Sequence, residues 1–353
     1  MRIFVVAGEK SGDDHAAKVM KAIREQNPAV EFQFWGGDAM AEVAPKGLLR
    51  HYKDHSYMGL LEVLKNLPSI LRNLKQCKAD IDAFHPEVVL LVDYPGFNLK
   101  IAKHAKMNGI RTAYFIAPKV WAWKKNRYKI IRKWVDQLMV ILPFEKAYFE
   151  KLGVEAHYVG NPLLEEVPQA IERGKKVALL PGSRVQELKK MVPLFAQFAQ
   201  RFPETEMVVG AVRHLDRSLY AELESQPNVQ LEFGGMKATL SQAKRAIVTS
   251  GTATLETALY GIPLAVVYIT SYLTYRVARM VIQIPFISLV NLIMDREVVP
   301  ELIQEEANLA NLASWIEDED EDARQLKEFQ ELRQKMEVSE GCSKQVAKLV
   351  LNG

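Results

Sequence analysis

The sequence predicts an α/β protein built from two doubly wound, Rossmann-like domains. Three observations lead there. The chain has 353 residues, enough for two domains at ~150 residues each, with a core apiece. Short apolar runs lacking polar alternation are separated by helical patterns, as in parallel strands covered on both faces. The same rhythm restarts in the second half, so two such units follow one another, joined around Gly160 to Lys175.

Taken in order, RIFVVAG reads as a strand, DDHAAKVMKAIREQ as a helix and FQFWGG as a second strand. SYMGLLEVLKNLPSILRNLKQCKADIDAF is helical, interrupted by Pro68. PEVVLLVD is a strand, FNLKIAKHAKMNG a helix stopped by Gly109, and RTAYFIAP a strand. KNRYKIIRKWV, DQLMVILP and FEKAYFEKLG follow as helix, strand and short helix. The second half begins with the strand KKVALLPGS and the helix VQELKKMVPLFAQFAQRFP. TEMVVGAV, VQLEFGG, RAIVTSG and IPLAVVYI are strands, and SLYAELESQ, MKATLSQA and TATLETALYG the helices between them. The charged end, from ASWIEDEDEDARQLKEF onward, is helical, and its acidic start suits a helix N-terminus. The expected division is 1–165, 166–318, and a helical 319–353 that packs back on the first domain.

Composition narrows the function. Hydrophobic residues make up 48% and charged residues 25%, as in a globular protein. A net charge of +3 is too small to point to nucleic acid, and fits at most mild attraction to an anionic membrane. Cys77 and Cys342 have no metal or redox spacing, which points to a reducing compartment. No apolar run reaches the ~18 residues that span a bilayer. MRIFVVAGEKSGD turns acidic too soon for an export signal and reads as a first strand.

In open α/β sheets ligands bind beyond the carboxyl ends of the strands. VVAGEKSGDDHAA supplies a glycine-containing turn at a helix start, either a ligand approach or a plain tight turn. It lacks the full glycine fingerprint of dinucleotide binding. In LLPGSRVQEL, Ser183 and Arg184 at a helix entrance suit a diphosphate, against an ordinary capped helix. In VTSGTATLETALYG, Ser250, Gly251 and Thr252 open a helix. Glu256, a turn later, suits the vicinal hydroxyls of a ribose, or is simply an exposed glutamate. In VDYPGFN, Asp93 ends a strand as an acid with two candidate tasks, chemistry or turn capping.

AGEKSGD, MGLLEVL, PKVWAWKKNR, LPFEKAYF, LLPGSR, SGTATLE and NLIMDREVVPELIQE, in that order, resemble the lipid-A-disaccharide synthases along nearly the whole chain. The resemblance implies the glycosyltransferase-B fold, with two Rossmann-like domains facing a cleft. It implies an inverting transfer of 2,3-diacylglucosamine from UDP-2,3-diacylglucosamine to 2,3-diacylglucosamine 1-phosphate, giving the β-1,6 disaccharide 1-phosphate and UDP. No cofactor and no metal are implied. The same fold also serves other UDP-sugar transferases and UDP-N-acetylglucosamine 2-epimerases, and a non-catalytic UDP- or lipid-binding protein is a third reading. The chain departs from the family's commonest pattern at Lys10 (usually alanine), Asn161 (often histidine) and Gly96 (often a second acid).

By that resemblance Asp93 is the general base and Arg184 stabilises the leaving UDP. Glu9, Ser11, Gly12 and Asp13 would line the first domain's side of the cleft, although Asp13 also suits a helix N-cap. Ser183, Ser250, Gly251, Thr252, Glu256, Asn291, Glu301 and Gln304 would lie on the donor side, and Glu301 and Gln304 equally suit one face of a helix. Acylated substrates imply a membrane surface or an acyl groove. Met58, Leu60, Leu61 and Leu64, with Trp121 and Trp123 in a basic stretch, are the candidates, against a core helix and buried tryptophans. The implied location is cytoplasmic, peripheral to the inner face of the inner membrane, and a homodimer is allowed.

Overall fold

A computed structural model describes residues 1–54, 66–123, 125–168, 173–271, 275–276, 284–318 and 320–353. The chain forms two compact units, Met1–Glu165 with Met336–Gly353, and Glu166–Lys335.

Among the described residues the first unit holds seven strands: β1 (Arg2–Ala7), β2 (Glu31–Gly36), β3 (Leu48–His51), β4 (Val88–Val92), β5 (Arg111–Phe115), β6 (Gln137–Val140) and β7 (Ala156–Tyr158). Their order is β3-β2-β1-β4-β5-β6-β7, and every pairing is parallel. Alternate residues of one strand serve different cores. Ile3, Val5 and Ala7 pack with the Lys10–Gln26 and Cys342–Asn352 helices. Phe4 and Val6 pack with the Leu67–Phe84 and Pro95–Met107 helices. Burial on both faces explains why these strands carry no polar alternation.

The second unit holds six among the described residues: β8 (Lys176–Leu180), β9 (Met207–Gly210), β10 (Val229–Glu232), β11 (Ala243–Thr249), β12 (Leu264–Tyr268) and β13 (Glu301–Ile303). The order is β10-β9-β8-β11-β12-β13, again parallel throughout. β3 and β13 are edge strands that the apolar runs do not announce, being short and partly polar (LLRH and ELI).

The chain returns to the first unit at Met336, later than residue 319. Polar anchors hold the Asp320–Met336 helix to the second unit. Gln325, fully buried, bonds both the amide and the carbonyl of Leu264, and Asp322 pairs with the buried Arg245 at 2.6 Å. The last helix is tied to the first sheet by Arg111, which donates to the Val350 carbonyl at 2.5 Å, and by Gln137, which donates to that of Leu349 at 3.0 Å.

Each sheet reverses its winding at one place, β1/β4 in the first and β8/β11 in the second. Crevices at such switch points are where doubly wound folds bind ligands. The turns that leave those four strands are GEKSGD, DYPG, PGSR and SGTA.

Candidate active site

At the first switch point, β4 is wholly buried and ends at Val92. Asp93 and Tyr94 then both take left-handed backbone conformations, with φ of 46° and 49°. Pro95 opens the next helix, and Tyr94, its N-cap residue, makes no side-chain cap bond. Asp93 is half-buried, and its carboxyl is raised to about 6. Burial is the main cause, reinforced by the Glu9 carboxylate, while Lys119 and the Tyr94 amide pull the other way. Glu9 stands at the N-cap position of the Lys10–Gln26 helix, makes no side-chain cap bond there, and accepts a bond from the Ser11 hydroxyl at 2.8 Å. Gly8 is required here, because a Cβ would lie 2.3 Å from the Tyr94 ring.

Gly12 and Asp13, expected on the cleft side, are occupied elsewhere. Gly12 is buried, and its Cβ position faces Ala7 and the Val92 carbonyl. Asp13 is 2% exposed. Its carboxylate accepts from the amides of Gly37, Ala39 and Met40 at 2.6, 3.0 and 3.3 Å. Both of its oxygens therefore serve the start of the Asp38–Val43 helix, not its own.

At the second switch point the two helix starts differ. Gly182 turns the chain with φ 107°, and Glu187 folds back over the next two residues. Its Oε2 accepts from the Ser183 and Arg184 amides at 2.9 and 3.2 Å. The backbone donors that PGSR was expected to leave for a diphosphate are thus capped from within. The Arg184 guanidinium pairs with Glu187 at 2.7 Å while its side chain stays 78% exposed. The Thr252–Leu259 helix, by contrast, has no side-chain cap. Ser250 donates to the Ile287 carbonyl at 3.1 Å, and Gly251 and Thr252 are exposed. The Thr249 hydroxyl, buried just before this turn, has no hydrogen-bond partner among the described residues. On that helix Glu256 is half-buried and raised to about 7, by burial first and then by the Glu166 carboxylate.

Asn291, Glu301 and Gln304 form internal brackets. Asn291 is fully buried. It donates to the Val299 carbonyl and to Glu301 Oε1, each at 2.9 Å, and accepts from the Val298 and Val299 amides at 2.8 and 3.0 Å. Glu301 also takes the Ile287 and Ser288 amides at 2.8 and 2.9 Å, bridging β13 to the Leu289–Met294 helix. Gln304 accepts from the Thr270 amide at 2.7 Å. Glu301 and Gln304 lie on a strand and the turn after it, not on one helical face.

Residues 3–350 match the family model described as lipid-A-disaccharide synthetase. The chain belongs to that family. A lipid-A-disaccharide synthase of Myxococcus xanthus (strain DK1622) is 37% identical over 335 residues, covering 89% of this chain and 87% of that protein. One from Idiomarina loihiensis is 33% identical over 364 residues, covering 96% and 95%. Among solved structures, the UDP-GlcNAc 2-epimerase of Neisseria meningitidis bound to UDP-GlcNAc aligns with a TM-score of 0.66 at 13% identity, covering 99% of this chain and 98% of that one. A glycotransferase of kitacinnamycin aligns at 0.61 with 14% identity, covering 99% and 98%. Those two likenesses establish the glycosyltransferase-B fold alone.

Three family positions gain a physical account. Lys10 pairs with Asp14 at 2.8 Å on the surface. Gly96 has open space where a Cβ would stand, so sterics do not demand glycine there. Asn161, 4% exposed, donates to the Ile141 carbonyl at 3.3 Å and accepts from the Leu163 amide at 3.0 Å. Among the described residues no group of three or more His, Cys, Asp or Glu side chains is arranged to hold a metal.

The synthetase-like VWAW stretch is held from below. Trp121 donates to Glu145 Oε1 at 2.8 Å and meets Phe144 edge-on at 5.1 Å. Trp123 is 47% exposed, with Arg127 over its ring. Met58, Leu60, Leu61 and Leu64 lie outside the described residues. Glu145 is 1% exposed and raised to about 7 by burial, against the bonds it accepts from Trp121, Leu142 and Ile141. Its folded-state value exceeds its ordinary 4.5, so its contribution to stability is fully present below pH 4.5 and is lost as pH rises through about 7. Urea unfolding of the parent and of Glu145→Gln should therefore diverge over that window, the parent losing ground with rising pH. Parallel pH profiles would show that Glu145 does not titrate there. Lys119, Asn98, Tyr114 and Glu145 are site neighbours that the sequence did not single out. Asn98 stood inside the VDYPGFN stretch, but nothing local marks its partners.

Proposed function

We propose that this chain transfers 2,3-diacylglucosamine from UDP-2,3-diacylglucosamine to 2,3-diacylglucosamine 1-phosphate, forming the β-1,6-linked disaccharide 1-phosphate and UDP. It is an inverting, UDP-sugar-dependent glycosyltransferase. The observation that carries the reading is family membership over residues 3–350, joined to a strand-end carboxyl whose value of about 6 suits proton abstraction near neutrality. As the acceptor 6-hydroxyl attacks the anomeric carbon, Asp93 takes its proton and the bond to UDP breaks on the opposite face.

The leaving diphosphate carries the charge to be stabilised. What supports the Thr252–Leu259 helix start as its seat is the missing cap, beside the exposed Gly251 and Thr252. Arg184, exposed and paired with Glu187 on the turn after the adjacent strand β8, would supply the guanidinium for the leaving diphosphate. Ser183 and Ser250 shape the two turns, and Glu256 accepts the ribose hydroxyls. Glu9 and Ser11 flank Asp93 on the acceptor side. Gly12, Asp13, Asn291, Glu301 and Gln304 support the site without touching substrate.

The enzyme works peripherally, at the cytoplasmic face of the inner membrane, where its acylated substrates reside. No helix among the described residues is long and apolar enough to cross a membrane. Leu67 and Leu71, 46% and 53% exposed, and Trp123 offer apolar contact, with Arg72, Lys75 and Arg127 nearby in sequence.

The test is purified protein with both acylated substrates in detergent micelles, with disaccharide and UDP followed together. Equal yields of the two are expected; UDP release without disaccharide defeats the proposal. Glu256→Ala should weaken UDP binding by roughly 10–100-fold, the loss of charge-assisted bonds to a ribose. Parental UDP affinity by calorimetry would remove Glu256 from the site.

A further inference from the structure

We propose that Tyr114 and Asn98 are positioning residues for Asp93, holding its carbonyl turned into the first unit so that its carboxylate is presented to the acceptor hydroxyl. The proposal rests on the reading of Asp93 as the base.

Two consecutive non-glycine residues with positive φ are an unfavourable way to leave a strand, and the surroundings must impose it. Here the Asp93 backbone is bonded at both ends. Its amide donates to the Phe115 carbonyl at 3.0 Å, extending the β4–β5 ladder by one bond. Its carbonyl, swung out of that ladder by the left-handed turn, meets two buried donors. The Tyr114 hydroxyl reaches it at 2.6 Å and Asn98 Nδ2 at 2.8 Å. Tyr114 and Asn98 are both fully buried. Rotating Asp93 back to an extended conformation would leave both donors without that acceptor in a dry interior, so the turn and the clamp enforce each other.

Asn98 does more than hold one carbonyl. The same Nδ2 lies 3.2 Å from the Val92 carbonyl and 3.4 Å from that of Val6. Val6 and Val92 belong to the adjacent strands β1 and β4, which lead into the turns of Glu9 and Asp93. One amide thus registers the two carboxylates against each other. Its Oδ1, meanwhile, is buried with no hydrogen-bond partner among the described residues. An apolar residue of similar volume would avoid that cost, so packing alone does not account for asparagine here.

Tyr114→Phe is the decisive variant, since it removes one donor and keeps the ring. The expected result is a kcat roughly 10–100-fold lower, the effect of a misplaced reacting group. KM for the UDP-sugar and UDP affinity should not change. Asn98→Ala should show the same split wherever thermal unfolding finds it folded. In an Asp93→Asn background, adding Tyr114→Phe should change the residual rate by less than about two-fold, because a residue acting through Asp93 has nothing left to position. A parental kcat in Tyr114→Phe, or a full further loss on the Asp93→Asn background, overturns the proposal while leaving the base reading intact. A parental rate in Asp93→Asn itself overturns the base reading, and this proposal with it.

Discussion

Asp93→Asn should lower disaccharide formation by roughly 10²–10⁴-fold, the contribution of a positioned general base, in a protein that stays folded. The fold should in fact tighten. The Asp93 carboxyl is raised to about 6 in the folded chain, chiefly by burial and then by Glu9. Its ordinary value is 3.8, so the cost of burying the charge is absent below pH 3.8, grows as pH rises through about 6 and is full above it, and the amide relieves that cost. A turn-capping carboxylate predicts the reverse, a less stable variant with near-parental turnover per folded molecule. Thermal unfolding at pH 8 alongside single-turnover kinetics separates the two. The parent's kcat/KM should also climb as pH rises through about 6 and level off above it, since the base must be unprotonated. A pH-independent rate between pH 5 and 8 would count against Asp93.

The second large effect is expected at Asn291. Replacing it by leucine fills the same space but leaves the Val298 and Val299 amides without their acceptor in a fully buried setting. At ~1–3 kcal/mol for each unsatisfied donor, the loss is about 2–6 kcal/mol of stability. Glu301 also loses a donor and with it part of its hold on the Leu289–Met294 helix. Chemical denaturation measures the effect. Parental stability with weakened UDP binding would instead make Asn291 a donor-site residue, as the family resemblance implied.

Much of the architecture was legible in the chain. Strands buried on both faces must be continuously apolar, so VVLLV and KVALL announced themselves. The edge strands β3 and β13 did not, because they are short and carry Arg50 and His51 or Glu301 among few apolar residues, whereas the edge strand β10 showed in VQLEFGG. Strand order was equally hidden. Nothing local says that β1 lies beside β4 or β8 beside β11, yet those adjacencies put the GEKSGD and DYPG turns together and the PGSR and SGTA turns together.

The site divides in the same way. Asp93, Glu9 and Glu256 stand at strand ends or in the helices that follow, where the general rule for open α/β sheets looks for them. Asp13, Asn291, Glu301 and Gln304 are also polar residues in family-like motifs, and sequence could not distinguish a carboxylate that meets substrate from one that meets three backbone amides. Glu187 is the sharpest case. It is visible in GSRVQE as an acid in a helix's first turn, but that it takes up the Ser183 and Arg184 amides emerges only from where its Oε2 sits.

By itself, then, the sequence determined most of the buried strands and the helices between them, that the sheets are parallel, and which turns carry acids and hydroxyls, because those properties follow from local periodicity and residue chemistry. The tertiary structure decided which of those polar groups remain available. Hydrogen bonds are satisfied between residues far apart in the chain: Asp13 with Gly37, Tyr114 with Asp93, Asn98 with Val6, Asn291 with Glu301. A carboxylate is free for chemistry only after all such obligations are met, and that condition belongs to the packed chain as a whole.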